Sequence, residues 1–290
     1  DVDGGILHNF LPENFNKSKY IVWRFAAPQT ESTKNFENKK GIKRVIKDFI
    51  KKNFYLEQNK VLNPLSKDYK IYPIDEWTKR KLIEKWELSP EEQLPHSIHT
   101  EEFLYKGEKK KDQIAVMVRF APNKMIDSSI KIFSLGTEKY PNYNLIILGG
   151  TTSDSENYLK YLNELIEKLG IQKRVTIIKN PSTKQCREFL VESKVLIDSQ
   201  KDIGLAMGPV EAMAAGCIVI TPKNTGTFIE TLQEGKYGFG FDSIEEGGRI
   251  LEMILEKLKT GTLNNKRSIK RSSFLSQKNF IKRLKEVLDE

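Results

Sequence analysis

Cysteine is scarce in this sequence, and long apolar runs are missing from it. Two widely separated cysteines among 290 residues, Cys186 and Cys217, exclude a disulfide scaffold and a zinc ribbon and favour a reducing compartment. Apolar runs such as Leu145-Ile146-Ile147-Leu148 fall far short of the roughly 18 to 20 residues that a membrane-spanning helix needs. No G-x-G-x-x-G sequence follows a predicted strand, which disfavours a nicotinamide-dependent Rossmann enzyme.

The composition supports a packed core and anionic partners. Hydrophobic residues make up 38% of the chain and aromatic residues 10%, which is enough to fold. The net charge of +9 favours nucleotides, acidic lipids or nucleic acid without choosing among them. The basic residues are dispersed except over 262–283, so nucleic-acid binding rests on charge alone. The first residues, Asp1-Val2-Asp3, lack an initiator methionine and a signal-peptide pattern, so we expect processing or a start inside a longer product.

Alternating strand and helix patterns begin at residue 113 and predict a doubly wound α/β domain. Short β-branched runs predict strands over 113–118, 144–148, 174–178, 195–197 and 217–221. Helices are predicted over 41–53 and 76–86, from residue 128, over 153–169, 183–193 and 209–215, and over 274–288 after a basic loop at 261–270. The Lys-rich stretch 106–111 has linker composition, which divides the chain into 1–106, 107–270 and a C-terminal helix over 271–290.

Two cations follow the first predicted strand of this domain. Arg119 and Lys124 lie five residues apart at a strand end, which is where open α/β sheets bind ligands. Such a pair can converge on a diphosphate, with arginine acting as a planar fork and lysine as a point charge. Two solvated surface cations would give the same pattern.

A carboxylate opens the helix before the strand at 217–221. Gly208-Pro209 suits a helix start, which places Glu211 in the first turn, near free backbone N–H groups. A carboxylate there can accept hydrogen bonds from ribose hydroxyls, or it can merely complement the helix dipole. The spacing alone favours neither reading.

The order of the segments points to a family. They run LPHSIHTEEF, MVRFAPNK, NYNLIILGG, ELIEKLGIQKRVTII, GPVEAMAAGCIVIT and GKYGFGF, between residues 94 and 241. This series closely resembles the nucleotide-sugar-binding half of retaining glycosyltransferases of the GT-B fold, family 4. The resemblance implies two Rossmann-like domains facing a cleft, and an N-terminal domain that is short or truncated here. It also implies a glycosyltransferase that needs no metal and no cofactor.

The same resemblance assigns roles to individual residues. Arg119 and Lys124 would bind the donor's diphosphate, Glu211 would hold the ribose hydroxyls, and Val210 would pack beside the ribose. The strand end around Ile178 and Lys179 would line the base pocket.

One position departs from the family pattern, which places a second glutamate ahead of Glu211 to contact the donor sugar. Ile203 stands at that position and cannot do this, whereas a one-residue insertion would bring Asp202 there. Backbone N–H groups near Gly204 and Leu205 would stabilise the departing diphosphate. If the insertion reading fails, donor recognition changes or the protein only binds nucleotide, as a non-catalytic assembly subunit of a glycosyltransferase complex.

A narrower likeness concerns mannosyltransferases that extend lipid-linked oligosaccharide. It implies a GDP-, UDP- or ADP-linked donor with GDP-mannose favoured, a glycan or lipid-linked acceptor, and a cytoplasmic enzyme in peripheral contact with the membrane. No nucleic-acid partner is expected.

In the N-terminal part, His8 and Arg24 are candidate cleft residues, with a surface histidine near a chain end as the alternative for His8. His96 and His99 are expected to serve the hinge rather than chemistry.

Overall fold

A computed structural model describes residues 20–21, 70–86, 89–95, 97–152 and 155–289. Within the first two ranges, β1 (Tyr20–Ile21) pairs in parallel with β2 (Lys70–Ile71). Helix α1 (Glu76–Trp86) follows, as its sequence pattern predicted. The helix predicted over 41–53 lies outside the described residues.

A parallel sheet of six strands organises the described residues from 113 onward. Its strands are β3 (Gln113–Met117), β4 (Asn144–Gly149), β5 (Val175–Lys179), β6 (Val195–Ile197), β7 (Ile218–Pro222) and β8 (Phe239–Phe241). They lie in the order β5-β4-β3-β6-β7-β8. The chain therefore winds outward from β3 in one direction and from β6 in the other, which confirms the doubly wound α/β prediction.

The helices that connect these strands cover the two faces of the sheet. They are α2 (Ile126–Gly136), α3 (Ser155–Lys168), α4 (Thr183–Glu192), α5 (Met207–Ala214), α6 (Ile244–Lys259), α7 (Lys266–Phe274) and α8 (Gln277–Asp289). Apolar spacing explains their packing: in α3, for example, Leu159, Leu162 and Ile166 recur at helical intervals and are all buried. A capping box of Ser182 and Gln185 fixes the start of α4.

The end of the chain differs from the sequence prediction. Residues 266–274 form helix α7 rather than part of a basic loop, because Ser268, Arg271 and Ser272 pack their side chains into the domain. Helix α7 ends and α8 begins separately because the residues between them bind to Ile98. Ile98 forms a parallel bridge to Ser276 and accepts a hydrogen bond from the Gln277 N–H at 3.1 Å.

The Lys-rich stretch 106–111 also contains a buried contact. The Lys110 ammonium donates at 2.7 Å to the carbonyls of both Ser193 and Ala215, which follow α4 and α5. Burial lowers the pKa of Lys110. A lysine in a segment of linker composition thus joins two helix ends of the domain.

Candidate functional site

The order of the strands brings two loops together at the carboxyl-terminal edge of the sheet. Strands β3 and β6 are neighbours, yet their connections run to opposite sides, so the loops that follow them flank a crevice. The loop after β3 carries Arg119 and a short 3-10 turn at Pro122–Lys124. The loop after β6 carries residues 198–206 and leads into α5.

Lys124 connects these two loops. Its ammonium donates to the Gln200 Oε1 at 2.9 Å. Burial lowers the pKa of Lys124, the positive charge of Arg119 lowers it further, and the carboxyl of Asp198 opposes the change. Arg119 and Lys124 therefore lie close together at a partly buried site. Binding of a diphosphate by this pair stays a prediction.

Asp198 orients the partner of Lys124. Its Oδ1 accepts hydrogen bonds from the Gln200 backbone N–H at 3.2 Å and from the Gln200 Nε2 at 3.0 Å. The side chain is almost fully buried, and its Oδ2 has no partner among the described residues. Burial raises the pKa of Asp198, although Gln200 and Lys124 oppose the rise. Because Asp198 engages the amide of Gln200, the Gln200 Oε1 is left to face Lys124.

Sequence reasoning missed Asp198 and Gln200. One sequence feature could have indicated Asp198: it is an acidic residue directly after the fully apolar strand β6. A residue at that position lies at the sheet edge where ligands bind.

Helix α5 places Glu211 differently from the sequence prediction. The helix begins at Met207, two residues earlier than expected, so Pro209 is its third residue and Glu211 its fifth. Proline is tolerated there because N–H groups in the first turn lack intrahelical acceptors. Glu211 therefore lies in the second turn, and its placement in the first turn was wrong. Burial raises the pKa of Glu211 to about 7, and the charge of Glu102 adds to the rise.

Val210 does not face the crevice. Its side chain is fully buried in a cluster with Ile98, Leu205 and Leu275. Successive residues of a helix point about 100° apart, so Val210 faces the core. Packing of Val210 beside a ribose stays a prediction.

Asp202 stands in the loop after β6 with a left-handed backbone, at φ 51°. Its Oδ1 accepts a hydrogen bond from the Asn224 Nδ2 at 3.1 Å, which ties this loop to the one that follows β7. The carboxylate is partly exposed, and its loop lies at the same sheet edge as the loop that carries Lys124. Contact with a donor sugar stays a prediction.

Asp75 occupies the space next to Gly204 and Leu205, and sequence reasoning also missed it. Its Oδ1 accepts from the Thr78 N–H at 2.6 Å, and its Oδ2 accepts from the Leu205 N–H. A Cβ on Gly204 would stand 2.7 Å from the Asp75 Oδ2, so a larger residue there would displace this carboxylate. The Leu205 N–H, expected to stabilise a diphosphate, is thus engaged by a carboxylate from the segment before α1. Burial raises the pKa of Asp75.

Ile178 and Lys179 lie at the end of β5, on the outer edge of the sheet, opposite Leu148 and Gly149 of β4. Lys179 lines a cavity of about 700 Å³ between this strand end and α3. Asn180 and Thr151 also line the cavity, and the Asn180 Oδ1 accepts from the Thr151 N–H at 2.8 Å. The position is compatible with the base pocket that the sequence predicted.

His8, Arg24 and His96 lie outside the described residues. His99 is exposed, and its Nδ1 lies 3.9 Å from a carboxylate oxygen of Glu102. In the parts of the chain that the structure describes, no three His, Cys, Asp or Glu side chains come together to hold a metal ion. No helix within those same parts is both long enough and apolar enough to cross a membrane.

Comparison with protein families identifies the class. Residues 100–267, more than half of the chain, match the family glycosyl transferases group 1. The chain belongs to this family of transferases, as the order of its motifs indicated.

Two curated relatives illustrate the relationship. Over 154 residues the chain is 25% identical to the GDP-Man:Man(3)GlcNAc(2)-PP-Dol alpha-1,2-mannosyltransferase of Dictyostelium discoideum, a match that covers 50% of the chain and 30% of that protein. Over 102 residues it is 26% identical to the GDP-mannose:cellobiosyl-diphosphopolyprenol alpha-mannosyltransferase of Xanthomonas oryzae pv. oryzae, covering 35% of the chain and 26% of that protein. The chain thus spans less than a third of the length of these relatives. The first of them confirms the likeness to lipid-linked-oligosaccharide mannosyltransferases.

Solved structures confirm the fold class. A glycosyltransferase from Rickettsia africae ESF-5 superposes with a TM-score of 0.69 at 14% identity, covering 92% of this chain and 69% of that one. Anabaena HepE, solved in complex with UDP and glucose, superposes with a TM-score of 0.67 at 14% identity. The match covers 81% of this chain and 67% of HepE. The fold is the α/β GT-B fold that the resemblance implied.

Proposed function

We propose that this chain binds a nucleoside-diphosphate sugar and transfers the sugar, with retention of configuration, to a hydroxyl of a glycan or lipid-linked acceptor. The observation that carries the proposal is the crevice between β3 and β6. Arg119 and Lys124 lie close together there, within the family-matched part of the chain. The loop on the other side of the crevice leads into α5, the helix that carries Glu211.

The charges of the crevice suit the departing diphosphate. Negative charge builds on the diphosphate as the glycosidic bond breaks, and a partly desolvated cation stabilises such charge more strongly than an exposed one. Lys124 is held at the crevice by Gln200, so it needs little reorganisation to meet the β-phosphate. Arg119 supplies a planar fork beside it. Because these cations neutralise the diphosphate, we propose that the reaction needs neither a metal ion nor a cofactor.

The donor and acceptor are proposed from the relatives. GDP-mannose is the favoured donor, since the Dictyostelium relative is named for GDP-Man and for a dolichyl-diphosphate-linked acceptor. HepE was solved with UDP, so UDP- and ADP-linked donors are the alternatives to test. We further propose that the protein works in the cytoplasm, in peripheral contact with the membrane that holds such an acceptor. A nucleic-acid partner is not part of the proposal.

Calorimetric titration of the purified chain with GDP, UDP and ADP and their sugar conjugates tests the donor site. We expect micromolar affinity for one nucleotide family, unchanged by EDTA. Incubation with that donor and a lipid-linked oligosaccharide should then give a product whose anomeric carbon, assigned by NMR coupling constants, keeps the donor's configuration. A folded chain that binds none of the three nucleotides would contradict the proposal.

Glu211 gives the proposal a pH dependence. If an ionised Glu211 accepts the ribose hydroxyls, its raised pKa of about 7 means that the group loses its charge in the acid range. Nucleotide affinity should therefore fall roughly tenfold between about pH 8 and about pH 6, because only the ionised fraction accepts strongly. Titrations of wild type and Glu211→Gln across this range measure the effect.

The Glu211→Gln variant is the matched control, since it keeps the shape of the side chain and cannot ionise. It should bind weakly at both ends of the range, and any remaining slope belongs to the phosphates of the nucleotide. Parallel slopes for the two proteins would show that Glu211 does not touch the ribose.

A non-catalytic nucleotide-sugar-binding or assembly subunit is the second candidate. The engagement of the Leu205 N–H by Asp75 favours it, because one expected donor to the diphosphate is occupied. Nucleotide binding without transfer to any acceptor would support this reading.

A further inference from the structure

The positive charge of this protein is concentrated near its C-terminus. Residues 266–286 contain eight Lys or Arg and one Glu, a surplus of seven within a chain whose net charge is +9. The stretch coincides with helices α7 and α8. The charge is therefore carried by two ordered helices rather than scattered over the surface.

One face of each helix points to solvent and carries most of these cations. The large exposed side chains of α7 are Lys266, Arg267, Lys270 and Phe274, and those of α8 include Lys278, Ile281, Lys282 and Lys285. We call these eight residues the basic face. Two large apolar side chains lie among its six cations, since Phe274 and Ile281 are each 46% exposed. On both helices the spacing of three, four and seven residues aligns the side chains along one side.

The opposite face of α7 anchors that helix to the domain, and α8 is attached at its first residue, where the Gln277 N–H donates to the Ile98 carbonyl at 3.1 Å. Arg271 donates to the backbone carbonyls of Glu230 at 2.7 Å and Thr231 at 3.2 Å. Leu275, between the helices, is fully buried. The part of the basic face that α7 carries is therefore held against the domain.

We propose that the basic face is a docking surface for an anionic lipid bilayer. Lysine and arginine near a negatively charged leaflet attract it electrostatically, and apolar side chains among them can enter the interfacial region. This proposal names the surface that would make the peripheral membrane contact proposed above, and it rests on the proposed transferase function. Its test is independent, because vesicle binding requires neither a donor nor an acceptor.

Phe274 favours a lipid surface over single-stranded nucleic acid. Bases bind by stacking on free aromatic faces. The guanidinium groups of Arg271 and Arg283 lie over the Phe274 ring, 4.6 and 4.7 Å from its centroid. A ring covered in this way offers a base little room to stack, whereas the part of Phe274 that stays exposed can still contact acyl chains.

Co-sedimentation of the full chain with vesicles tests the proposal. We expect binding to vesicles of phosphatidylcholine mixed with phosphatidylserine, weakening as salt is added, and little binding to phosphatidylcholine alone. Each cation near an anionic surface strengthens binding about fivefold. The triple variant Lys278→Gln, Lys282→Gln and Lys285→Gln should therefore bind anionic vesicles about 100-fold more weakly.

A second triple variant controls for net charge. Lys168→Gln, Lys173→Gln and Lys257→Gln remove three exposed lysines outside the basic face, and this variant should bind anionic vesicles like wild type. Both triple variants should bind nucleotide like wild type. Failure of vesicle binding alone would thus be distinguishable from failure of the proposed function.

Ile281→Ser removes apolar area and leaves every charge in place. It should weaken vesicle binding several-fold. The proposal is overturned by equal vesicle affinity of the basic-face variant and wild type, or by absence of vesicle binding. Tighter binding to an oligonucleotide than to anionic vesicles at the same ionic strength would overturn it in favour of a nucleic-acid surface.

Discussion

We expect the Lys124→Met variant to bind a nucleoside diphosphate about 10- to 100-fold more weakly than wild type, because it loses a hydrogen bond between charged groups. Turnover should fall further, by about 100- to 1000-fold, since the missing cation faces charge that develops only as the bond breaks. Methionine keeps the length of the lysine stem and removes only the charge and its donors. Calorimetry with the preferred nucleotide and a single-turnover transfer assay measure the two effects separately.

The surroundings of Lys124 explain why the loss should be large. Its ammonium lies next to Gln200, whose own orientation depends on the buried Asp198. Burial and the neighbouring Arg119 lower its pKa, which means that the charged form gains most when an anion arrives. A partly buried cation that is already oriented stabilises the charge of the diphosphate more strongly than an exposed lysine would.

Lys139→Met is the matched control. Lys139 follows α2 at the opposite edge of the sheet, is largely exposed, and pairs only at the surface with Glu252 at 2.5 Å. Its replacement should leave nucleotide affinity and turnover within about a factor of two, because exposed ion pairs contribute little. If Lys124→Met retained wild-type affinity and rate, the crevice between β3 and β6 would not be the diphosphate site.

The sheet could be predicted from the sequence because its strands are short apolar runs bounded by polar residues. Five strands, from β3 to β7, lie within one residue of their predicted positions. Strand β8 was not predicted because Phe239–Phe241 has only three residues and a glycine at its centre, which is too short for a strand pattern. The segment is a strand because it pairs with β7. Helix α7 escaped for a related reason, since burial of its serines and Arg271 against the domain outweighs its polar composition.

The site divides in the same way. Arg119 and Lys124 follow the end of a strand that the sequence predicts, so their place at the carboxyl-terminal edge of the sheet could be inferred. The role of Asp75 could not be inferred in this way. Its carboxylate accepts a hydrogen bond from the N–H of Leu205, which lies 130 residues further along the chain. Contacts between residues so far apart in the sequence depend on tertiary packing, and no local sequence pattern predicts them.

Two adjacent glycines at the end of β4 show how closely the site is built onto the sheet. A Cβ on Gly149 would stand 2.0 Å from the Val118 carbonyl oxygen and 3.2 Å from the Phe120 ring. The backbone that leads into Arg119 thus runs directly against β4. A Cβ on Gly150 would meet the Arg119 Cγ at 3.8 Å and the Asn180 Oδ1 at 3.9 Å, which are ordinary contacts.

We therefore expect Gly149→Ala to lower the free energy of unfolding by about 3 kcal/mol, because a backbone carbonyl cannot move aside as a flexible side chain can. The variant should also bind nucleotide poorly, since any relief of the clash displaces the loop that carries Arg119 and Lys124. Gly150→Ala is the control. Neither glycine has a positive φ, and both substitutions restrict the unfolded chain equally, so the difference between the variants isolates the contact. Urea unfolding followed by circular dichroism measures it, and equal midpoints for the two variants would contradict the close approach of β4 to the Arg119 loop.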